Sequence, residues 1–207
     1  NPSDILREGD VLKLDFDSAV VQILKCDSQI IQGRVLSPGV VKSNKGISCD
    51  RLLNIPALSK KDIAIIEIAN RLQQKNVFLS FCSSHNDVKL LRQKYDYDIN
   101  VISKIESLSA LNNLELICNE SDGILIDRGD LSRDVPLEKI AIAQKYIMEK
   151  RLSADTPVYV ATNLMESMHE NSKPTRAEVH DIVSTLNMGA QGLVLAAETA
   201  IGNYPVE

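Results

Sequence analysis

No apolar run in this chain approaches the roughly 18 to 20 residues that a membrane-spanning helix needs, and Asn1 to Asp10 lack the apolar stretch of a secretory signal. A membrane location is therefore not expected, and a soluble cytoplasmic one is. A basic excess is absent too. The formal net charge is −5 over 207 residues, whereas nucleic-acid-binding proteins usually carry a basic face that displaces counterions from phosphates, so a nucleic-acid partner is not expected. Any anionic ligand must be held by local groups. Cys26, Cys49, Cys82 and Cys118 lie far apart without a CxxC pair, which reads as reduced thiols used in packing. His85, His169 and His180 have no mutual spacing suited to zinc. There is no internal repeat, no low-complexity tract and no Gly-rich loop of the GxxxxGKS type. Phosphate recognition must be built differently.

What is present is a 44% apolar chain, enough to bury a sizeable core in one domain or one domain with an appendage. Val11 to Phe16, Ala19 to Lys25 and Ile30 to Leu36 read as short β segments, followed by Ser37-Pro38-Gly39, and together they form a small β module. The pattern changes around Asn54-Ile55-Pro56-Ala57-Leu58-Ser59, where Ser59 is placed to cap a helix running through Ile63, Ile66 and Ala69. The expected division is 1–50 and 51–207. Beyond it, β-branched runs at Val77 to Phe81, Asn100 to Ile105, Gly123 to Ile126, Val158 to Thr162 and Gly192 to Ala196 alternate with helical patterns. Such runs indicate a parallel sheet covered by helices, hence an α/β fold. The polar ends of the strands favour a barrel, whose ligands gather at the C-terminal strand ends.

Chemistry-bearing residues stand at those ends. Lys104 and Glu106 are two apart on a strand and so project to the same side, while Ile105 faces the helices. They form either a structural ion pair or half of a reactive site. Asp130 follows the next strand, and with neighbouring strands ~4.8 Å apart two carboxylates can converge on one hard cation such as Mg²⁺. Alternatively, Asp130 is a turn or cap residue after Gly129. Gly129 permits close backbone approach, and the Gly129 and Asp130 amides suit a carboxylate if a helical turn follows. Thr162 is either a hydroxyl donor or a cap. Arg128 is either catalytic or structural. Pro174-Thr175-Arg176-Ala177-Glu178 reads as a helix start, with Thr175 as cap and Glu178 completing a capping box.

Taken in order, these segments resemble pyruvate kinase over roughly residues 10 to 207. The resemblance is carried by Asn54 to Asp62, Ile102-Ser103-Lys104-Ile105-Glu106, Ser121-Asp122-Gly123-Ile124 and Arg128-Gly129-Asp130-Leu131. Ala161-Thr162, Glu166-Ser167-Met168, Pro174 to Glu178 and Glu198-Thr199-Ala200 continue it. It implies a TIM-type (β/α)8 barrel portion, strands four to eight, with part of a small β-barrel lid domain in residues 1–50. It implies transfer of a phosphoryl group from phosphoenolpyruvate to ADP, giving pyruvate and ATP. Glu106 and Asp130 would hold Mg²⁺ or Mn²⁺, and Lys104 would stabilise the phosphoryl group and enolate. Thr162 with the Gly129 and Asp130 amides would hold the substrate carboxylate, Arg128 would join the catalytic groups, and Lys45 would serve the nucleotide. K⁺ is implied as well, with ligands outside this chain, as is a tetramer. The chain opens without a methionine and reads as a piece of something longer, with the first three barrel strands upstream and a regulatory domain downstream.

Four features depart from the family pattern. Asp127 stands where alanine is usual before Arg-Gly-Asp, and if it faced the site it would repel an anionic substrate or demand another cation. Ser83 replaces a basic residue, Ser48-Cys49-Asp50-Arg51 replaces Asn-Leu-Pro-Gly, and Phe16 replaces the second acid of Asp-Asp-Gly. Two other functions are compatible with the pattern: a catalytically impaired metabolite sensor or assembly domain, and a Mg²⁺-dependent pyruvate-enolate lyase or aldolase.

Overall fold

β-branched residues alternate with polar ones through the first part of the chain, and that part folds as antiparallel strands. The computed structural model describes residues 2–16, 18–27, 30–43, 45–53, 55–150 and 155–207. These fall into two units, Asn1–Pro56 and Ala57–Glu207. In the first, β1 (Val11–Leu14), β2 (Ala19–Cys26), β3 (Ile31–Ser37) and β4 (Ile47–Cys49) form one sheet of order β3-β2-β1-β4. Every neighbouring pair is antiparallel. Leu12, Ala19 and Ile23 are its buried residues.

Strand β4 has no counterpart in the sequence reading, because three residues are too few to establish a period. It is followed by Arg51, whose Nε and Nη2 donate to the two oxygens of buried Asp10 at 2.6 and 2.8 Å and whose Nη2 also reaches the Ile5 carbonyl at 2.8 Å. This two-pronged hydrogen bond holds the Asp10 carboxyl below its ordinary range. The Ser48–Arg51 departure is thus a structural clamp in this chain. Asn54, first of the next signature, lies outside the described residues.

In the second unit, α1 (Lys60–Arg71) starts at Ser59 as expected. The Asp62 amide donates to Ser59 Oγ at 3.2 Å, and the Ser59 amide donates to the Asp62 carboxylate at 2.7 Å. Five parallel strands follow: β5 (Asn76–Leu79), β6 (Asn100–Ile105), β7 (Gly123–Asp127), β8 (Val158–Ala161) and β9 (Gly192–Val194). Their order in the sheet is their order in the chain. A doubly wound sheet would reverse direction at a switch point, whereas this one winds steadily, as a barrel wall does. Between the strands lie α2 (His85–Arg92), α3 (Leu108–Asn112), α4 (Leu114–Glu120), α5 (Arg128–Leu131), α6 (Ile140–Lys150) and α7 (Arg176–Asn187), with α8 (Ala197–Ala200) after β9. The first and fourth of these strands end before the expected Phe81 and Thr162. Both residues have positive φ, 52° and 67°, which takes the chain out of the β region. Strand β9 likewise stops at Val194, short of the expected Ala196.

The pleat sorts the side chains into two sets. Val101 and Ile105 of β6, with Ile124, Ile126, Val158 and Val160, join Val88, Leu91, Leu114, Ile117 and Ile147 from the helices in one core. Each such residue contributes about 1.5 to 3 kcal/mol when fully buried. On the opposite face Lys104 stands in register with Leu125, Leu125 with Tyr159, and Tyr159 with Gly192. A Cβ on Gly192 would lie 3.1 Å from the Tyr159 ring, so the bare backbone makes room for it. Asp127, two residues after Leu125, belongs to this same face as Lys104.

The loop after β8 is fastened by Glu178, which accepts from the Ser167 amide (2.7 Å), Ser167 Oγ (2.5 Å), the Thr175 amide (2.6 Å) and Thr175 Oγ1 (2.9 Å). Burial opposes its charge, but these donors outweigh burial and lower its carboxyl to about 2. A carboxylate depressed on folding stabilises the native state above its unfolded pKa, and that contribution fades as pH falls from about 4.5 to about 2. Glu178→Gln should therefore cost about 1 kcal/mol near neutral pH and flatten the acid limb of the stability profile. Urea unfolding of the full chain across that pH range measures both, and an unchanged acid limb would refute the role given to Glu178.

Candidate functional site

Strand β6 carries Lys104 to the C-terminal edge of the sheet, and the next residue on that face is Glu106. The Lys104 ammonium is 2.7 Å from Glu106 Oε1 and 3.0 Å from Asp127 Oδ2. Burial works against the charge on Lys104, yet its hydrogen bonds to Glu106 and Asp127 outweigh it and hold the ammonium above the ordinary lysine range. Glu106 has no exposed side-chain surface. Burial pushes its carboxyl up, Asp130 adds to the shift, and Lys104 and the Phe81 amide, which donates to Oε2 at 2.5 Å, pull against it. Phe81 reaches that position through its positive φ.

The four-residue helix α5 begins directly after Asp127 and presents Gly129 and Asp130. The Asp130 amide donates to Asp127 Oδ1 at 3.3 Å, and the Gly129 amide donates to Thr162 Oγ1 at 2.8 Å. A Cβ on Gly129 would come 3.3 Å from that hydroxyl. The Thr162 hydroxyl has one proton and two acceptors, the Ala161 carbonyl at 2.6 Å and Asp127 Oδ1 at 3.3 Å. A β-branched residue at φ 67° is strained, a condition that collects at functional sites when the surroundings enforce it.

Arg128 supplies that enforcement. Its Nε and Nη2 donate to the Thr162 carbonyl at 3.1 and 2.8 Å, Nη2 donates to the Asn163 carbonyl at 2.7 Å, and Nη1 pairs with Asp181 at 2.7 Å. Every nitrogen of Arg128 is thus engaged, and the guanidinium fixes the Thr162 backbone. Lys104, Glu106, Gly129, Asp130 and Thr162 are brought together as the sequence reading expected. Lys45 lies in the first unit, 3.4 Å from Asp15.

Two further groups join the cluster, Asp127, whose facing the site the sequence reading leaves open, and Arg133, which was not anticipated. Asp127 faces the cluster, and Arg133, one helical turn after Asp130, pairs with the Asp130 carboxylate and lies 5.7 Å from the centre of the Phe81 ring. The i, i+3 spacing from Asp130 was the available signal for Arg133. Glu106, Asp127 and Asp130 each offer an oxygen within 4.8 Å of the others. Such an all-oxygen set fits a hard divalent cation, Mg²⁺ or Mn²⁺, with Lys104 and Arg133 as its internal competitors. Two surface cavities, about 230 Å³ beside Tyr95 and Tyr97 and about 390 Å³ beside Pro174 and His180, involve none of these residues. The carboxylate cluster is the chemically equipped place.

The model of the pyruvate kinase barrel domain matches residues 3–207. The chain belongs to the pyruvate kinase family. A pyruvate kinase of Candida albicans is 35% identical over 212 residues, covering 100% of this chain and 42% of that relative. One from Mycobacterium tuberculosis is 36% identical over 202 residues, covering 96% and 43%, and one from Thermotoga maritima is 35% identical over 210 residues, covering 100% and 45%. The chain thus spans somewhat under half the length of these relatives. Among the described residues, no helix is long and apolar enough to cross a membrane.

Lys104 is paired with two of the three carboxylates. Lys104→Met should therefore destabilise the protein by roughly 3 kcal/mol, because it strands buried like charges. Millimolar Mg²⁺ should restore much of the loss. Thermal unfolding with and without Mg²⁺ checks this, and a variant indifferent to the ion would show that the carboxylates do not act as one cluster.

Proposed function

We propose that the full protein transfers a phosphoryl group from phosphoenolpyruvate to ADP, giving pyruvate and ATP, and that this chain supplies the phosphoenolpyruvate and divalent-metal half of the site. The observation that carries this reading is the convergence of Lys104, Glu106 and Asp130 at the strand ends of a sheet belonging to the pyruvate kinase family. Phosphoryl transfer is mostly positioning and charge neutralisation, so a lysine, a carboxylate pair and aimed donors are the parts it needs.

In this reading Glu106 and Asp130 hold Mg²⁺ or Mn²⁺, which when bound neutralises charge on the phosphoryl and enolate oxygens. Lys104 donates to the transferring phosphoryl group and to the enolate oxygen. Thr162 and the Gly129 and Asp130 amides receive the substrate carboxylate, and Arg128 holds Thr162 in its strained backbone position. Lys45 serves the nucleotide. Strands β5 to β9 are strands four to eight of a (β/α)8 barrel, and residues 1–50 are part of its lid. The K⁺ ligands and the remaining strands belong to the longer protein, which we place in the cytoplasm as a tetramer.

A sensor or assembly role is the second reading, favoured by one observation: Asp127 and Arg133 already engage Lys104 and Asp130 from within. Coupled assay of the full-length protein with Mg²⁺, K⁺, phosphoenolpyruvate and ADP separates the two. Pyruvate should form in the wild type or in Asp127→Ala, and silence of both refutes the kinase reading. In whichever is active, Lys104→Arg keeps the charge but misplaces it, and should lower kcat about 100-fold or more.

A further inference from the structure

Asp127 ends β7 on the face that carries Lys104, because Leu125 is in register with Lys104 and Asp127 is the next residue on that face. Its carboxylate, 7% exposed as a residue, is engaged on both oxygens. Oδ2 takes the Lys104 ammonium at 3.0 Å, and Oδ1 takes the Asp130 amide and the Thr162 hydroxyl, each at 3.3 Å. An ammonium, an amide and a hydroxyl are the kinds of donor that would grip a small carboxylate. Here the chain brings its own.

The cation side is filled in the same manner. Asp130 is paired with the Arg133 guanidinium, so a positive group lies against one of the oxygens that face the cluster. Glu106, Asp127 and Asp130 bring three negative charges, and Lys104 and Arg133 bring two positive ones, leaving one net negative charge. Without Asp127 the group would be neutral. An incoming anion therefore meets an occupied set of donors and a negative balance, each of which weakens its hold.

We propose that Asp127 is a built-in competitor for the substrate carboxylate: it occupies Lys104, the Asp130 amide and the Thr162 hydroxyl in the resting protein, and a small carboxylate ligand binds only by displacing it. This rests on the reading that those donors receive the ligand's carboxylate. Asp127 then sets the affinity threshold of the site, admitting only ligands whose additional interactions outweigh the displaced contact. The device needs no large movement, since rotation about the side-chain bonds of one residue withdraws its carboxylate from all three donors together.

Calorimetric titration of oxalate in the presence of Mg²⁺ tests this on the full chain. Asp127→Ala should bind oxalate at least about tenfold more tightly than the wild type, as expected when a charged competitor is removed. Asp127→Asn should fall between them, because its amide oxygen can still cap the Asp130 amide while the charge is gone. It also keeps the test informative if the alanine variant does not fold. If wild type, Asp127→Ala and Asp127→Asn all bind oxalate equally, Asp127 is no competitor and the anion site itself stands. If folded samples of all three bind none, the reading of the donors as a carboxylate site fails, and the competitor with it.

Discussion

The site depends on one ammonium. Lys104 lies between Glu106 and Asp127 and makes their burial at the sheet edge tolerable, because a carboxylate without exposed surface costs several kcal/mol unless it is paired and hydrogen-bonded. Around that contact the other groups fall into place. The Phe81 amide caps the remaining oxygen of Glu106, and helix α5 starts at Asp127 so that its first turn leans on the same carboxylate. Arg128 then anchors the loop after β8 by its carbonyls. Charge, cap and loop form one network in which each part is held by the next.

Two strained positions show what that network carries. Phe81 and Thr162 both leave the β region at the ends of their strands, the first to aim an amide at Glu106 and the second to aim a hydroxyl at Gly129. Left-handed backbone costs a non-glycine residue on the order of 1 to 2 kcal/mol, so both turns persist because surrounding hydrogen bonds fix them. This makes Arg128 important through the backbone it holds. The same logic applies in the first unit, where Arg51 locks Asp10 and secures a strand too short to be stable by itself.

Much of this was legible before any coordinates. The spacing of Lys104 and Glu106 placed them on one face, the caps at Ser59 and Thr175 followed from residue type and position, and five β-branched runs announced the parallel sheet. These features are local, governed by pleat and by hydrogen bonds between residues a few positions apart. Strand β4 escaped notice because its stability comes from pairing with β1. The contacts of Arg128 were not legible because a long side chain beside an acidic motif can turn either way, and its partners, the carbonyls of Thr162 and Asn163, are distant in sequence.

The sequence by itself determined which groups are available and which faces they share, since a two-residue period and a capping box require only neighbours along the chain. Tertiary structure alone decided what each group does with its charge. The Lys104 to Asp127 contact requires the register between β6 and β7. Arg133 on Asp130 requires a helical turn at α5, and the seat of Thr162 requires an arginine that starts another strand's helix. Electrostatic roles are set by distances of about 3 Å between residues far apart in the chain, and interactions that steep in distance cannot be read from order alone.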